Sequence, residues 1–112
     1  PTDATERFIA SEIIREKVFL LTRDEVPYAT AVVIESFEEG DPVVIHATIM
    51  VARDSQKGIL VGQKGRMLTA IRTQAAKDIE HLLGCRVRLH LWIKVRKNWT
   101  ENPNILKGLG LA

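Results

Sequence analysis

The chain has 112 residues, a formal charge of +2, and 46% hydrophobic against 27% charged residues, a balance that excludes wholesale disorder. No uninterrupted apolar run exceeds four residues, as in Ala31 to Ile34, so no helical segment reaches the roughly 20 residues a membrane span needs. The single cysteine, Cys85, can neither close an internal disulfide nor build a cysteine zinc site.

Residues 3–22 read as a helix. Asp3 and Glu6 have the spacing of a capping box. Ile9, Ile13 and Leu20 follow one stripe, with Ala10, Ile14 and Leu21 beside it, while Glu12 and Glu16 stand among Arg7, Arg15 and Lys17 on a solvated face. Pro27 stops anything helical by about Val26. Residues 28–38, rich in β-branched and aromatic side chains, read as a strand. Glu38-Glu39-Gly40-Asp41-Pro42 is a turn by composition. Residues 43–53 read as a second strand, with Ile45, Ala47, Ile49 and Val51 on one face and His46, Thr48, Met50 and Ala52 on the other.

Asp54-Ser55 has the chemistry to cap a short helix from Gln56 to Val61. Gly62-Gln63-Lys64-Gly65 interrupts it. A long helix follows over residues 66–83, where Leu68, Ile71, Ala75, Ile79 and Leu82 recur at helical spacing and Gly84 fits the closing position. Residues 86–96 alternate cleanly: Val87, Leu89, Leu91, Ile93 and Val95 for a dry face, and Arg88, His90, Trp92, Lys94 and Arg96 for a wet one. The tail from Asn98 suggests one helical turn at residues 104–107. The order α-β-β-α-α-β predicts an antiparallel hairpin joined to a third strand by a right-handed parallel crossover. The expected fold is a two-layer α/β (α+β) domain over residues 1–112, a three-stranded mixed sheet with helices packed on one face.

Charge is divided along the chain. Residues 1–48 hold four Lys/Arg and ten Asp/Glu, whereas residues 49–112 hold twelve and four. A basic half on a small domain is what a nucleic-acid surface requires. The segment Gly58-Ile59-Leu60-Val61-Gly62-Gln63-Lys64-Gly65-Arg66 is the place for such chemistry. Two glycines permit positive φ and close backbone approach. The loop opens a long helix, whose unpaired N–H groups and dipole attract phosphate. Lys64 and Arg66 add charge there, and since Ile59, Leu60 and Val61 cannot all face inward on a short helix, at least one offers an apolar surface to unstacked bases. G-x-x-G alone is weak, but a strand and a capped short helix before it, with a long amphipathic helix and a strand after it, form the setting of a KH nucleotide clamp.

A nucleotide-triphosphate loop is excluded, because G-x-x-x-x-G-K-[ST] fails: the residue five on from Gly58 is Gln63, and Gly65 precedes Arg66. His46, His81 and His90 sit on different elements and make no metal pair. Cys85 beside Arg86 has a route to a lowered thiol pKa, though an inert cysteine at an element end is the plainer reading. No G-x-S-x-G elbow exists, and an enzymatic reading finds no converging nucleophile, base and metal. The face of Arg88, His90, Trp92, Lys94 and Arg96 reads first as a solvated outer sheet face or a docking face for a neighbouring domain, and second as an RNA surface with Trp stacking.

The chain as a whole resembles the C-terminal type II KH domain of the bacterial Era GTPases. The resemblance runs through Arg7-Phe8-Ile9-Ala10-Ser11-Glu12-Ile13-Ile14-Arg15-Glu16-Lys17, Glu25-Val26-Pro27-Tyr28 and Arg53-Asp54-Ser55-Gln56-Lys57-Gly58. It continues through Gly62-Gln63-Lys64-Gly65, Lys77-Asp78-Ile79-Glu80 and Leu91-Trp92-Ile93-Lys94-Val95. It implies binding of single-stranded RNA near the 3′ end of 16S rRNA, in small ribosomal subunit assembly. By residue it implies a backbone clamp at Gly62, Gln63, Lys64 and Gly65, and a base groove lined by Ile59, Leu60, Val61, Arg66 and Met67, with Lys57 alongside. The family often carries a second Lys where this chain has Gln63. It further implies a preceding GTPase domain, agreeing with a chain that starts at Pro1 without Met. GTP and Mg belong to that domain, leaving this part a monomeric, non-catalytic module without a cofactor. The implied location is cytoplasmic, peripheral at the inner membrane. The alternative is a protein-docking module that uses the outer sheet face.

Overall fold

The computed structural model describes residues 3–23 and 26–109, with Asp3 and Pro27 described by backbone alone. Helix α1 spans Asp3–Thr22. The capping box expected at Asp3 and Glu6 rests on the Asp3 side chain and lies outside the described residues. The strand expected from Tyr28 begins at Thr30, because Val26–Ala29 first make a 3-10 turn. The Thr30 hydroxyl donates to the Val26 carbonyl and closes that turn. Strands β1 (Thr30–Glu38) and β2 (Val43–Val51) pair antiparallel. Helix α2 covers Asp54–Val61, α3 covers Arg66–Leu83, β3 covers Val87–Val95 and a short α4 covers Pro103–Gly108. Strand β3 pairs in parallel with β2, giving a three-stranded mixed sheet in the order β1-β2-β3.

The period-2 pattern of β2 sets the layers. Ile45, Ala47, Ile49 and Val51 are fully buried and join Ala10, Ile14 and Val18 of α1 and Ile71, Ala75 and Ile79 of α3 in one core. The buried stripe of α1 thus lies to one side of the expected Ile9-Ile13-Leu20 line, and Leu20 is exposed. The α3 stripe matches at its centre, while Leu82 at its end is also exposed. Lys17 Nζ lies 2.6 Å from Asp78 Oδ2 and ties α1 to α3. The β1–β2 register shifts between Ile34 and Ser36, so Glu35 is an extra residue in a bulge. That is how Ile34 and Phe37, three residues apart, both face the core opposite Ala47 and Ile45.

The opposite sheet face is not left wholly to solvent. At one corner Ala31 and Met50 are covered by Trp99, Ile105, Leu106 and Leu109 from the C-terminal segment. Trp99 is only 4% exposed, and its indole N–H donates to the Ala29 carbonyl at 3.3 Å. The helical turn expected at residues 104–107 is present within α4, which Asn102 caps through Oδ1 to the N–H groups of Asn104 and Ile105.

Candidate nucleic-acid interface

The start of α2 differs from the expected Asp54-Ser55 cap. Asp54 is already helical, and Arg53 holds the cap position. Gln56 does the capping work from inside: its buried Oε1 accepts from Ala52 N–H at 3.0 Å and Arg53 N–H at 2.9 Å. This fixes the exit from β2, and hence where the eight-residue helix α2 delivers the loop.

The loop turns by backbone conformations that few side chains tolerate. Gly62 has φ 73° and ψ 178°, Lys64 φ 56° and ψ 27°, and Gly65 φ 76° and ψ 12°. Gly62 N–H donates to the Gly58 carbonyl at 2.9 Å, and Gly65 N–H to the Gly62 carbonyl at 3.2 Å. The two glycines have different surroundings. A Cβ at Gly62 would stand 2.6 Å from Met67 Cβ and 2.8 Å from Met67 N, whereas one at Gly65 would meet nothing within 4 Å. Gly62 is therefore required by close packing as well as by φ, and Gly65 by φ alone.

The loop delivers the chain into the N-terminus of α3, which has no side-chain cap and no acidic residue in its first turn. Helix-start amides without i−4 partners and the positive dipole end are thus flanked by exposed Lys64 and Arg66. The other expected residues divide by burial. Lys57 and Gln63 are exposed, Ile59 is 48% exposed, and Val61 is half-buried. Met67 is half-buried against the core. Leu60 corrects the expectation: it is 0% exposed and part of the core. A short helix packed on both α3 and the sheet turns one of its three consecutive apolar residues inward, and that one cannot reach a base.

Beyond the loop, a groove of about 800 Å³ runs between α3 and the free edge of β3. Arg72, Thr73 and Lys77 border it from α3, and Arg88, His90 and Trp92 from β3. Arg72 stands six residues past Arg66, roughly 9 Å further along the helix axis. None of residues 57–67 lines this groove. The sequence signal for the missed residues was their position off the apolar stripe of the long helix, within the basic half of the chain. The one carboxylate in the groove, Glu80, accepts from Val87 N–H at 2.9 Å. Four basic side chains, Arg72, Lys77, Arg86 and Arg88, thus face one carboxylate along a groove built almost wholly from the basic half of the chain.

Among the described residues no cluster of His, Cys, Asp and Glu could hold a metal ion, and no helix is long and apolar enough to cross a membrane. His46 and His90 stack instead, with ring centroids 4.6 Å apart. Cys85 is opposite to the reactive reading. Burial pushes its thiol pKa up, and Glu39, Glu6, Asp41 and Glu80 push the same way. The neighbouring Arg86 guanidinium, whose own pKa is raised by Asp41, hydrogen-bonds that carboxylate at 3.0 Å.

The KH domain family model matches residues 25–100 of the chain. GTPase Era of Geobacter metallireducens is 59% identical over 112 residues, covering 97% of this chain and 38% of that protein. GTPase Era of Lacticaseibacillus paracasei is 52% identical over 111 residues, covering 97% and 37%. Two solved structures superpose on 95% of this chain and 36% of their own: Aquifex aeolicus Era bound to GDP.AlF4-, at a TM-score of 0.89 and 40% identity, and Era in complex with MgGDPNP and nucleotides 1506-1542 of 16S ribosomal RNA, at 0.90 and 39%. The chain thus spans little more than a third of the length of the relatives it matches. Its α-β-β-α-α-β order, mixed sheet and two-glycine loop are those of a type II KH fold, and the chain belongs to the KH domain family.

Proposed function

We propose that the chain is the RNA-binding part of an Era-type GTPase, gripping single-stranded RNA from the 3′ end region of 16S rRNA in small ribosomal subunit assembly. The observation that carries this reading is the Gly62-Gln63-Lys64-Gly65 corner, set with exposed cations on the uncapped start of the helix whose later turns border an open groove. Backbone amides and the Lys64 and Arg66 side chains hold phosphates. Ile59, Val61 and Met67 offer apolar surface beside them, with Lys57 adding charge. Bases then lie along the groove toward Arg72 and Lys77. The related Era structure with nucleotides 1506-1542 of 16S ribosomal RNA supports the choice of RNA.

In this reading the module is non-catalytic, and the nucleotide cycle belongs to a separate GTPase domain of the full protein. The GDP.AlF4- and MgGDPNP held by the two Era structures find no G-x-x-x-x-G-K-[ST] loop in this sequence to receive them. Mechanism here is therefore positional: helix dipole, amides and two cations fix a sugar–phosphate strand, and the groove keeps its bases unstacked from one another.

The test is a double reversal, Gln63→Asp with Lys64→Asp, titrated with single-stranded RNA from the 16S 3′ end and a scrambled control. Two carboxylates would face the phosphates from an exposed loop, so binding is lost while the melting temperature holds. Wild-type affinity should also fall with salt, by a log–log slope of roughly −0.7 per phosphate neutralised. Full affinity in the folded double variant rejects the clamp.

A further inference from the structure

Strand β3 presents its second face away from the helices. Arg88, His90, Trp92 and Lys94 alternate along it, and Arg96 follows just past its end. Trp92 is 62% exposed. The facing strand offers Val44, His46, Thr48 and Met50, and neither β2 nor β3 contains an Asp or Glu. Among the described residues Arg88, Lys94 and Arg96 have no ion pair, although Arg86 and Lys17 do. The apolar corner of this face is already occupied by the chain's own Trp99 segment. What remains open is cationic, with one exposed indole in its midst.

We infer that this outer face is a second RNA-binding surface. It takes the RNA that flanks the nucleotides clamped in the groove, holding phosphates on Arg88, Lys94 and Arg96 and stacking a base on Trp92. The inference rests on the RNA reading above. Three observations support it. Unpaired cations around an exposed aromatic ring are the combination that binds single strands, since every base has a π-face and every linkage a charge. The surface is continuous with the groove, because Arg88, His90 and Trp92 border both, so a strand leaving the groove rounds the β3 edge onto it. And nucleotides 1506-1542, bound by the related Era, form a stretch several times longer than the roughly four nucleotides a KH groove clamps. A protein partner fits less well, for the uncovered area lacks the apolar centre that protein interfaces carry.

The experiment compares the wild-type chain with Lys94→Gln/Arg96→Gln, two exposed positions that do not border the groove. Each is titrated with nucleotides 1506-1542 of 16S rRNA and with a 3′-end RNA of about six nucleotides, enough to fill the groove alone. The double variant should bind the long RNA about tenfold or more weakly, with its salt slope reduced by about 1.4 for two lost phosphate contacts, and bind the short RNA as wild type does. Equal losses on both RNAs, or no loss on the long one, overturn the inference, and the second result leaves the face to a protein. A wild-type chain that ignores the short RNA, yet needs Lys94 and Arg96 for the long one, defeats the groove reading alone. Failure to bind either RNA defeats both.

Discussion

Replacing each loop glycine by alanine separates packing from backbone strain. At Gly62 the φ/ψ pair of 73° and 178° lies in a region essentially reserved for glycine, which costs a residue with a Cβ about 1–3 kcal/mol. The new methyl would also sit 2.6 Å from Met67 Cβ and 2.8 Å from Met67 N. The second neighbour is backbone at the start of α3 and cannot swing away, so overpacking adds about 1–3 kcal/mol. Restriction of the unfolded chain returns about 0.4–1 kcal/mol. At Gly65, with φ 76° and ψ 12°, the left-handed conformation costs about 1–2 kcal/mol, the same restriction applies, and open space surrounds the site. Gly62→Ala should therefore destabilise by at least about 1 kcal/mol more than Gly65→Ala, or roughly 4 °C in melting temperature for a chain of this size. Urea titration with an unchanged m-value reads the difference directly. Equal midpoints for the two variants would refute the assignment of Gly62 to packing. By the same geometry Gly65→Val is strained through φ, with open space around the new side chain.

The remaining predictions use burial and charge. Leu60→Ala removes a core side chain and should cost about 2–5 kcal/mol, whereas Ile59→Ala, half-exposed, should change stability little and weaken RNA binding; thermal melts and RNA titrations of both variants check this, and the reverse pattern would return Leu60 to the interface. The Lys17 pKa is raised, first by its hydrogen bond to Asp78 against a smaller opposing burial effect. A folded-state pKa above the unfolded value near 10.4 means this link is present below that pH and fades as pH climbs through the folded value. Lys17→Met should cost under about 1 kcal/mol at pH 7 and flatten the alkaline limb of stability. Urea midpoints from pH 7 to 11 that decline in parallel for both proteins would refute the link.

The helices and strands were legible because their periods are regular: Val87 to Arg96 alternates without a break, and Ile71, Ala75 and Ile79 recur on one helix face. The loop was legible from two glycines between helices. What stayed hidden depends on contacts distant in sequence. Trp99 stands in a tail without periodicity, and its partner at Ala29 lies 70 positions away. Leu60 was misassigned because three successive apolar residues on a short helix do not say which one faces two neighbours at once. The wall of the groove was missed because Arg72 and Lys77 look like any solvated helix face until β3 is laid beside them.

The two margins of the sheet are unlike. The β1 margin is bent by the extra residue Glu35, and an added strand cannot keep register across a bulge that carries a carboxylate. The β3 margin is straight, yet every second side chain on its outer side is bulky or cationic. Self-association by strand addition is therefore discouraged at both rims by different means. The straight rim sets cations beside its edge, so pairing with a second, equally basic β3 would bring like charges together.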